Sequence, residues 1–347
     1  MKLLFVLPIA IGDATCASAS FVSLKRHRPD IVIDLCCNKN MINIFSDLEE
    51  IRYAFQYPEL SGKVYDEVYD WVIDCASESF SFDLIKKLYS KNHIGHDPAN
   101  PSMHVINGIS IDPSITVEYQ SFIDYPEQPA WYLEASLVSS MLNKSLSEWA
   151  NNLFEPLFNF RTNHDAFLSE DDLKIDVLFI PCGSNILKRW PEAHWSDLLK
   201  LFSRENYKIG IIVGYAEKES LPNMSIPTNI KVYSEISTRK IAALCENASL
   251  VIANDCGPMH IAAASGANLI AIFGPTNPRC WFAYSGTHRQ YVQKGTGANR
   301  LGILIETKTW DNWPTPHDIW ITAKNMIGDS NYDKTACLDM KGKYDDI

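Results

Sequence analysis

One stretch of this chain leaves little freedom in the choice of fold. Leu250-Val251-Ile252-Ala253 is a short apolar run that ends in Asn254-Asp255-Cys256-Gly257. It passes into Pro258-Met259-His260-Ile261-Ala262-Ala263-Ala264, and after Ser265-Gly266 a second apolar run, Leu269 to Phe273, reaches Gly274 and a proline-rich loop. Continuous apolar runs of strand length, bounded by turn residues, are strands covered on both faces; such strands belong to parallel sheets with helical crossovers. The alanines make the crossover thin enough to pack closely on a sheet. Its polar groups gather at one end. Asn254 and Asp255 are helix-capping types, and a helix starting near Pro258 aims its first N–H groups at the carboxyl end of the sheet, where a diphosphate fits. Every parallel α/β sheet needs such a turn, so spacing alone suits a bare connection equally well. The crowding of Asp255, Gly257 and His260 into one helical turn favours a ligand site.

The same strand and helix alternation recurs along the chain. Its 347 residues fit two domains, at about 150 residues each. Lys2–Leu7 and Ile31–Leu35 read as strands around a helix from about Ala14 to Arg26, followed by a strand at Val68–Asp74, a helix at Phe82–Tyr89 and an interrupted helical stretch at Trp131–Phe154. A second series begins after the acidic run Glu170-Asp171-Asp172. It has strands at Ile175–Ile180, Lys208–Val213, Ile230–Tyr233, Leu250–Ala253 and Leu269–Phe273, with helices at Glu192–Glu205, Thr238–Glu246, Pro258–Ser265 and Asp318–Met326. This predicts an α/β fold with mostly parallel, doubly wound sheets. The expected boundaries are a first domain over 1–160, a linker at 155–172, a second domain over 173–327 and a tail at 328–347.

Composition narrows the setting. No apolar run approaches the roughly 20 residues that span a bilayer, and Met1–Ala10 is too briefly apolar for a signal peptide, so it reads as the first strand. The nine cysteines include no CxxC pair, which implies neither a zinc site nor a disulfide framework and suits a reducing cytoplasm. A formal charge of −11 disfavours nucleic-acid partners and broad adhesion to anionic membranes. Lys25-Arg26-His27-Arg28 reads as the solvated end of the first helix.

Three turns carry candidate chemistry. After the first strand of the second domain comes Pro181-Cys182-Gly183-Ser184-Asn185-Ile186-Leu187-Lys188-Arg189-Trp190-Pro191-Glu192. Gly183 would allow close backbone approach, Ser184 offers a hydroxyl, and Lys188 brings a point charge suited to a phosphate oxygen; the plain alternative is a surface loop leading into a helix. Neither GxxxxGK[ST] nor a strand-borne GxGxxG is present, which removes support for kinase and dehydrogenase readings. In the first domain, Ile11-Gly12-Asp13 precedes the first helix, where Asp13 is open to two roles, helix cap or general base. Glu217 follows Val213-Gly214-Tyr215 and could bind ribose or base hydroxyls, or begin a helix. Trp281, Phe282 and Tyr284 could stack on a sugar or fill a core.

Taken together, Ile11-Gly12-Asp13, Lys188-Arg189-Trp190-Pro191-Glu192 and Asp255-Cys256-Gly257-Pro258-Met259-His260 through Phe273-Gly274-Pro275-Thr276-Asn277-Pro278 resemble the bacterial ADP-heptose-dependent heptosyltransferases of glycosyltransferase family 9. The resemblance covers both domains and is most specific in the third segment. It implies a GT-B architecture, two Rossmann-like domains facing each other across a deep cleft, and an inverting, metal-independent sugar transfer. By it, Asp13 is the candidate base, with Gly12 beside it on the acceptor side. Gly183, Ser184, Lys188, Glu217, Asp255, Cys256, Gly257 and His260 form the donor site. No cofactor is implied beyond the nucleotide sugar as co-substrate, and no metal. The implied acceptor is a glycan, glycolipid or lipopolysaccharide precursor, or alternatively a protein, and the implied location is the cytoplasm, at most peripheral to the inner face of its membrane. Two departures stand out. Cys256 replaces the family's usual Thr or Ser, and Cys182-Gly183-Ser184 replaces a more hydroxyl-rich turn, which leaves room for a different nucleotide sugar. A GT-B epimerase-like enzyme and a noncatalytic sugar-nucleotide-binding protein are the competing readings.

Overall fold

The computed structural model describes residues 1–57, 62–97, 100–111, 131–149, 168–214, 224–274, 276, 281, 289–292 and 314–328. The chain divides into two compact units, Met1–Leu153 and Phe154–Ile347.

In the first unit, β1 (Lys2–Val6), β2 (Val32–Asn38), β3 (Tyr53–Tyr57), β4 (Val68–Asp74), β5 (Tyr89–Asp97), β6 (Asn100–Ile106) and β7 (Ile109–Ile111) form one sheet in the order β3-β2-β1-β4-β5-β6-β7. Strands β3 through β5 pair in parallel, and β6 and β7 extend the sheet antiparallel. The helices are α1 (Ile11–His27), α2 (Ile42–Phe45), α3 (Gly62–Asp66), α4 (Ser79–Ile85), α5 (Trp131–Leu142) and α6 (Leu146–Trp149). Phe5, Phe21 and Phe45 meet edge to face, with ring centroids 5.6 Å apart at each contact, and so lock α1 and α2 onto the sheet. Leu4, Val6, Val72 and Leu84 pack among a second set of buried side chains.

The second unit is an all-parallel sheet of β8 (Val177–Ile180), β9 (Ile209–Val213), β10 (Lys231–Ser234), β11 (Leu250–Asn254), β12 (Leu269–Phe273) and β13 (Arg289–Val292), in the order β10-β9-β8-β11-β12-β13. Its helices are α7 (Glu192–Ser203), α8 (Thr238–Asn247), α9 (Gly257–Ala264) and α10 (Pro316–Gly328). Strands β8, β9, β11 and β12 are buried along their whole length, as their unbroken apolar sequences require. Phe179 anchors the core, with its ring edge to face against Trp195 at 6.0 Å and Phe202 at 5.5 Å.

Both strand orders reverse direction beside the first strand of the unit, between β1 and β4 and between β8 and β11. At such a switch point the loops leaving adjacent strands run to opposite sides and open a crevice at the carboxyl ends. The amino ends are closed by polar clusters instead. Asp34 accepts hydrogen bonds from Arg52 Nε and Tyr69 Oη, each at 2.9 Å. Asp172, from the acidic run before the second series, is 1 % exposed and accepts from Lys231 Nζ at 2.7 Å and Tyr233 Oη at 2.6 Å, with Lys240 Nζ at 3.2 Å. Burial alone would raise the Asp172 carboxyl, but its lysine and tyrosine partners hold it well below the usual carboxylate range.

Several expected elements differ. The helix expected at 82–89 runs instead over Ser79–Ile85 and gives way to β5, and β3, β5, β6, β7 and β13 had no sequence counterpart. The interruption expected at Asn143 in the 131–154 stretch is present, since its φ of +54° cannot continue a helix, and the one expected at Asn151-Asn152 lies outside the described residues. Helix α1 starts at Ile11 rather than Ala14, and its basic end is solvated as expected, with Arg28 paired to Asp30.

Asp172→Ala removes the shared acceptor. Lys231 and Lys240 can turn to water, but the Tyr233 hydroxyl cannot, so the urea midpoint is expected to fall by the equivalent of about 2 kcal/mol.

Candidate active site

At the switch point of the second unit, two loops are tied together by one side chain. Asn254, fully buried at the end of β11, donates from Nδ2 to Pro181 O at 2.5 Å and accepts at Oδ1 from Trp190 N at 3.1 Å. The loop leaving β8 is thereby fixed at both ends. Within it, Arg189 Nε donates to Gly183 O at 2.7 Å, and Asn185 Oδ1 accepts from Leu187 N at 3.0 Å, closing the tight turn Ile186–Lys188. Trp190 is 1 % exposed, donates its indole N–H to Pro314 O at 3.1 Å and meets Trp195 edge to face at 5.0 Å. The apolar and polar struts around Lys188 thus hold the lysine in one place.

Lys188 Nζ lies 2.9 Å from Asp255 Oδ2; the lysine side chain is 25 % exposed and the carboxylate 2 %. The same ammonium stands 5.9 Å from the centroid of the Trp281 ring. His260, on the first turn of α9, is buried beside this pair. Burial pushes its imidazole down to about 4, opposed by the Asp255 charge and helped by that of Lys188, so it is neutral near pH 7. Gly183 is buried, but an added Cβ would lie 3.5 Å from Cys256 Cβ, an ordinary contact, so the fold itself tolerates a larger residue there. Ser184 is exposed.

Two expectations about α9 need correction. Neither Asn254 nor Asp255 caps it: the N-cap position is Cys256, which makes no side-chain cap, while the expected caps are committed to the β8 loop and to Lys188. The helix also offers fewer N–H groups than its position implies. Pro258 has none, and the amides of Met259 and His260 turn back to Cys256 O at 3.0 and 3.4 Å, leaving Gly257 as the first-turn donor. Positive charge here therefore comes chiefly from Lys188.

At the switch point of the first unit, Asp13 lies half-buried inside the first turn of α1, at the third helical position; the N-cap is Ala10, so the capping role does not hold. Gly12 precedes it, partly exposed. Two acids that the sequence reading passed over flank this end of the sheet. Asp74, at the end of β4, accepts from the Ser77 and Ala76 amides at 2.9 and 3.1 Å and from the Ser81 hydroxyl at 2.8 Å; burial still raises it to about 6. Glu134, on the first turn of α5, is raised to about 8, first by burial and further by the charge of Asp13. Glu134 falls in an apolar helical stretch, and an isolated acid on a buried face was the available signal.

Glu217, Phe282 and Tyr284 lie outside the described residues or have no described side chain. Among the described residues, no group of three or more His, Cys, Asp or Glu is arranged to hold a metal, and no helix is long and apolar enough to cross a membrane.

The comparisons with known proteins follow this geometry. The model for "Glycosyltransferase family 9 (heptosyltransferase)" matches residues 119–300. The chain is 30% identical over 311 residues to lipooligosaccharide heptosyltransferase 2 of Haemophilus influenzae, covering 80% of this chain and 85% of that one. Among solved structures it is similar to the E. coli heptosyltransferase WaaC with ADP, at TM-score 0.67 and 17% identity over 94% of this chain and 100% of that one. It is also similar to E. coli ADP-heptose heptosyltransferase II, at TM-score 0.69 and 18% identity over 94% and 98%.

Two outcomes follow from the Lys188, Asp255 and His260 geometry. Lys188→Ala strands a buried carboxylate and is expected to cost about 3 kcal/mol in urea unfolding; Lys188→Ala combined with Asp255→Ala should cost less than the sum of the single changes, and strict additivity would show that the pair is not coupled. Because the folded His260 binds its proton less readily than the unfolded chain does, it contributes stability above the ordinary histidine range that is lost as pH falls from about 6.5 toward about 4. His260→Gln should flatten that part of the stability profile, and imidazole NMR shifts should show His260 still neutral at about pH 5.5.

Proposed function

The chain belongs to glycosyltransferase family 9, the heptosyltransferases, and we propose on that premise that it transfers heptose from ADP-heptose to a hydroxyl of a lipopolysaccharide core precursor, with inversion and without a metal. It is a glycosyltransferase, and its two Rossmann-like units are the GT-B architecture of the family. In this reading the first unit receives the acceptor and the second holds the donor, in the cytoplasm where nucleotide sugars are made available.

The observation that carries the proposal is the Lys188 ammonium, held 2.9 Å from a buried Asp255 carboxylate at the switch point of the donor unit. The ammonium is ion-paired with Asp255 and has donors to spare for a phosphate oxygen; in this reading a diphosphate lies beside it, with Gly183, Ser184, Cys256, Gly257 and neutral His260 lining the donor site. When the bond from the anomeric carbon to the diphosphate breaks, the electron pair goes to the departing phosphate oxygen, and a lysine already in place stabilises that charge as it grows. On the opposite face of the sugar the acceptor oxygen forms the new bond to carbon while its proton passes to the Asp13 carboxylate, a general-base step that inverts the centre. Lys188 supplies the positive charge that a cation would otherwise bring, which is the basis for proposing a metal-independent reaction.

Calorimetry of ADP, UDP and GDP binding separates the alternatives. Selective binding of ADP, weakened at least tenfold in Lys188→Ala with folding checked by circular dichroism, supports the donor site. Transfer from ADP-heptose abolished in Asp13→Ala, with ADP binding retained, supports the base. Preference for another nucleotide would discard the heptose donor, and nucleotide binding without transfer in the unaltered protein would favour the noncatalytic reading.

A further inference from the structure

Glu134 has no place in the chemistry above, yet it is at odds with its surroundings. Its side chain is 8 % exposed, and Oε2 is buried with no hydrogen-bond partner. An ionised carboxylate in that position would be costly, since burial penalises the charged form and the residue's own backbone N–H offsets that only in part. Helix α5 packs against α1, so Glu134 on its first turn lies within electrostatic reach of Asp13 on the first turn of α1.

Among the described residues, the other groups facing this spot give Glu134 no countercharge. From the end of β4 come Asp74, already bracketed by Ser77 and Ser81, and the buried Cys75 thiol, which burial and the neighbouring Glu134 and Asp74 charges push well up. From β6, His104 is engaged further along α5, with Nδ1 2.8 Å from Ser140 Oγ and Nε2 3.0 Å from Ser136 Oγ; its ring meets that of His96 of β5 at 5.3 Å. From α6, Trp149 donates its indole N–H to Ser139 of α5 at 2.7 Å.

We propose that Glu134 is a positioning residue for Asp13: the buried acid retains the proton that the two carboxyl groups hold between them, so that the half-exposed acid is the ionised one. This rests on Asp13 being the base. Two nearby acids titrate as a pair, and the member in the less polar place keeps the proton. A neutral Glu134 lets Asp13 stay ionised near neutrality without a second anion beside it. Once Glu134 ionises, around pH 8, its charge raises the proton affinity of Asp13 and makes it the stronger base.

The pair can be read without turnover. In the full chain with 13C-labelled side-chain carboxyls, titrated from about pH 5 to about pH 10, one glutamate signal is expected to titrate near 8. It should vanish in Glu134→Gln and move to lower pH in Asp13→Asn, because the coupling is reciprocal. A Glu134 signal in the ordinary glutamate range, or a midpoint unmoved in Asp13→Asn, overturns the proposal. In the heptosyl transfer assay, kcat should show an alkaline step of roughly threefold near pH 8 that Glu134→Gln removes. A uniform loss of kcat with the step retained would mark a merely structural role and also overturn it. If no heptose is transferred but the glutamate signal behaves as expected, the assigned reaction fails and the pairing stands; if transfer depends on Asp13 but the signal does not, the reverse holds.

Discussion

One buried amide holds the second unit's working edge together. The Asn254 side chain has no access to water, so both its donor and its acceptor must be met by protein, and each is met by the loop that leaves β8. That requirement fixes Pro181 and Trp190, and with them everything between. Because Asp255 is the next residue and Lys188 is two before Trp190, the same constraint brings ammonium and carboxylate together. A loop free at one end would pay the entropy of ordering a lysine at the moment of binding; here the fold orders it in advance.

The two units divide their polar groups in the same way. At the amino ends of the strands, Asp34 with Arg52 and Tyr69, and Asp172 with Lys231 and Tyr233, are closed clusters in which every charge has its partner. At the carboxyl ends the groups are less evenly matched: Lys188 stands against a single carboxylate, His260 is kept neutral, and Glu134 Oε2 has no hydrogen-bond partner. Saturated clusters stabilise and do little else. Groups shifted by burial, with hydrogen-bonding capacity to spare, are the ones able to respond to a ligand or move a proton. The reversal of strand order explains why both sets fall where they do, since only there do adjacent loops diverge and leave room.

How much of this was legible in advance follows from burial. Strands β8, β9, β11 and β12 were plain in the sequence because strands covered on both faces must be apolar throughout, and such runs have few other uses. Strand β5, Tyr-Ser-Lys-Asn-His-Ile-Gly-His-Asp, reads as a loop; its pairing comes from β4 and β6 rather than from its own residues, and only Ile94, Gly95 and His96 along it are buried. The start of α1 was misplaced because Ala10, which has no capping side chain, holds the N-cap, leaving Asp13 inside the helix. The motif residues Lys188, Asp255 and His260 were found, but Asn254, which read as a helix cap, and Arg189, which read only as a neighbour of Lys188 in its motif, were not seen as the residues that hold the β8 loop in place.

The sequence by itself determined the class of fold, the order of the polar turns along the chain and the residue types gathered at each, because apolar periodicity and turn chemistry are local properties. Only the tertiary structure decided which of those residues meet and which carry charge. Lys188 is paired with Asp255, and Glu134 lies near Asp13, through contacts between segments remote in the chain. An ionisable group's state depends on the water taken from it and the charges brought near it, and neither quantity exists until the chain has folded.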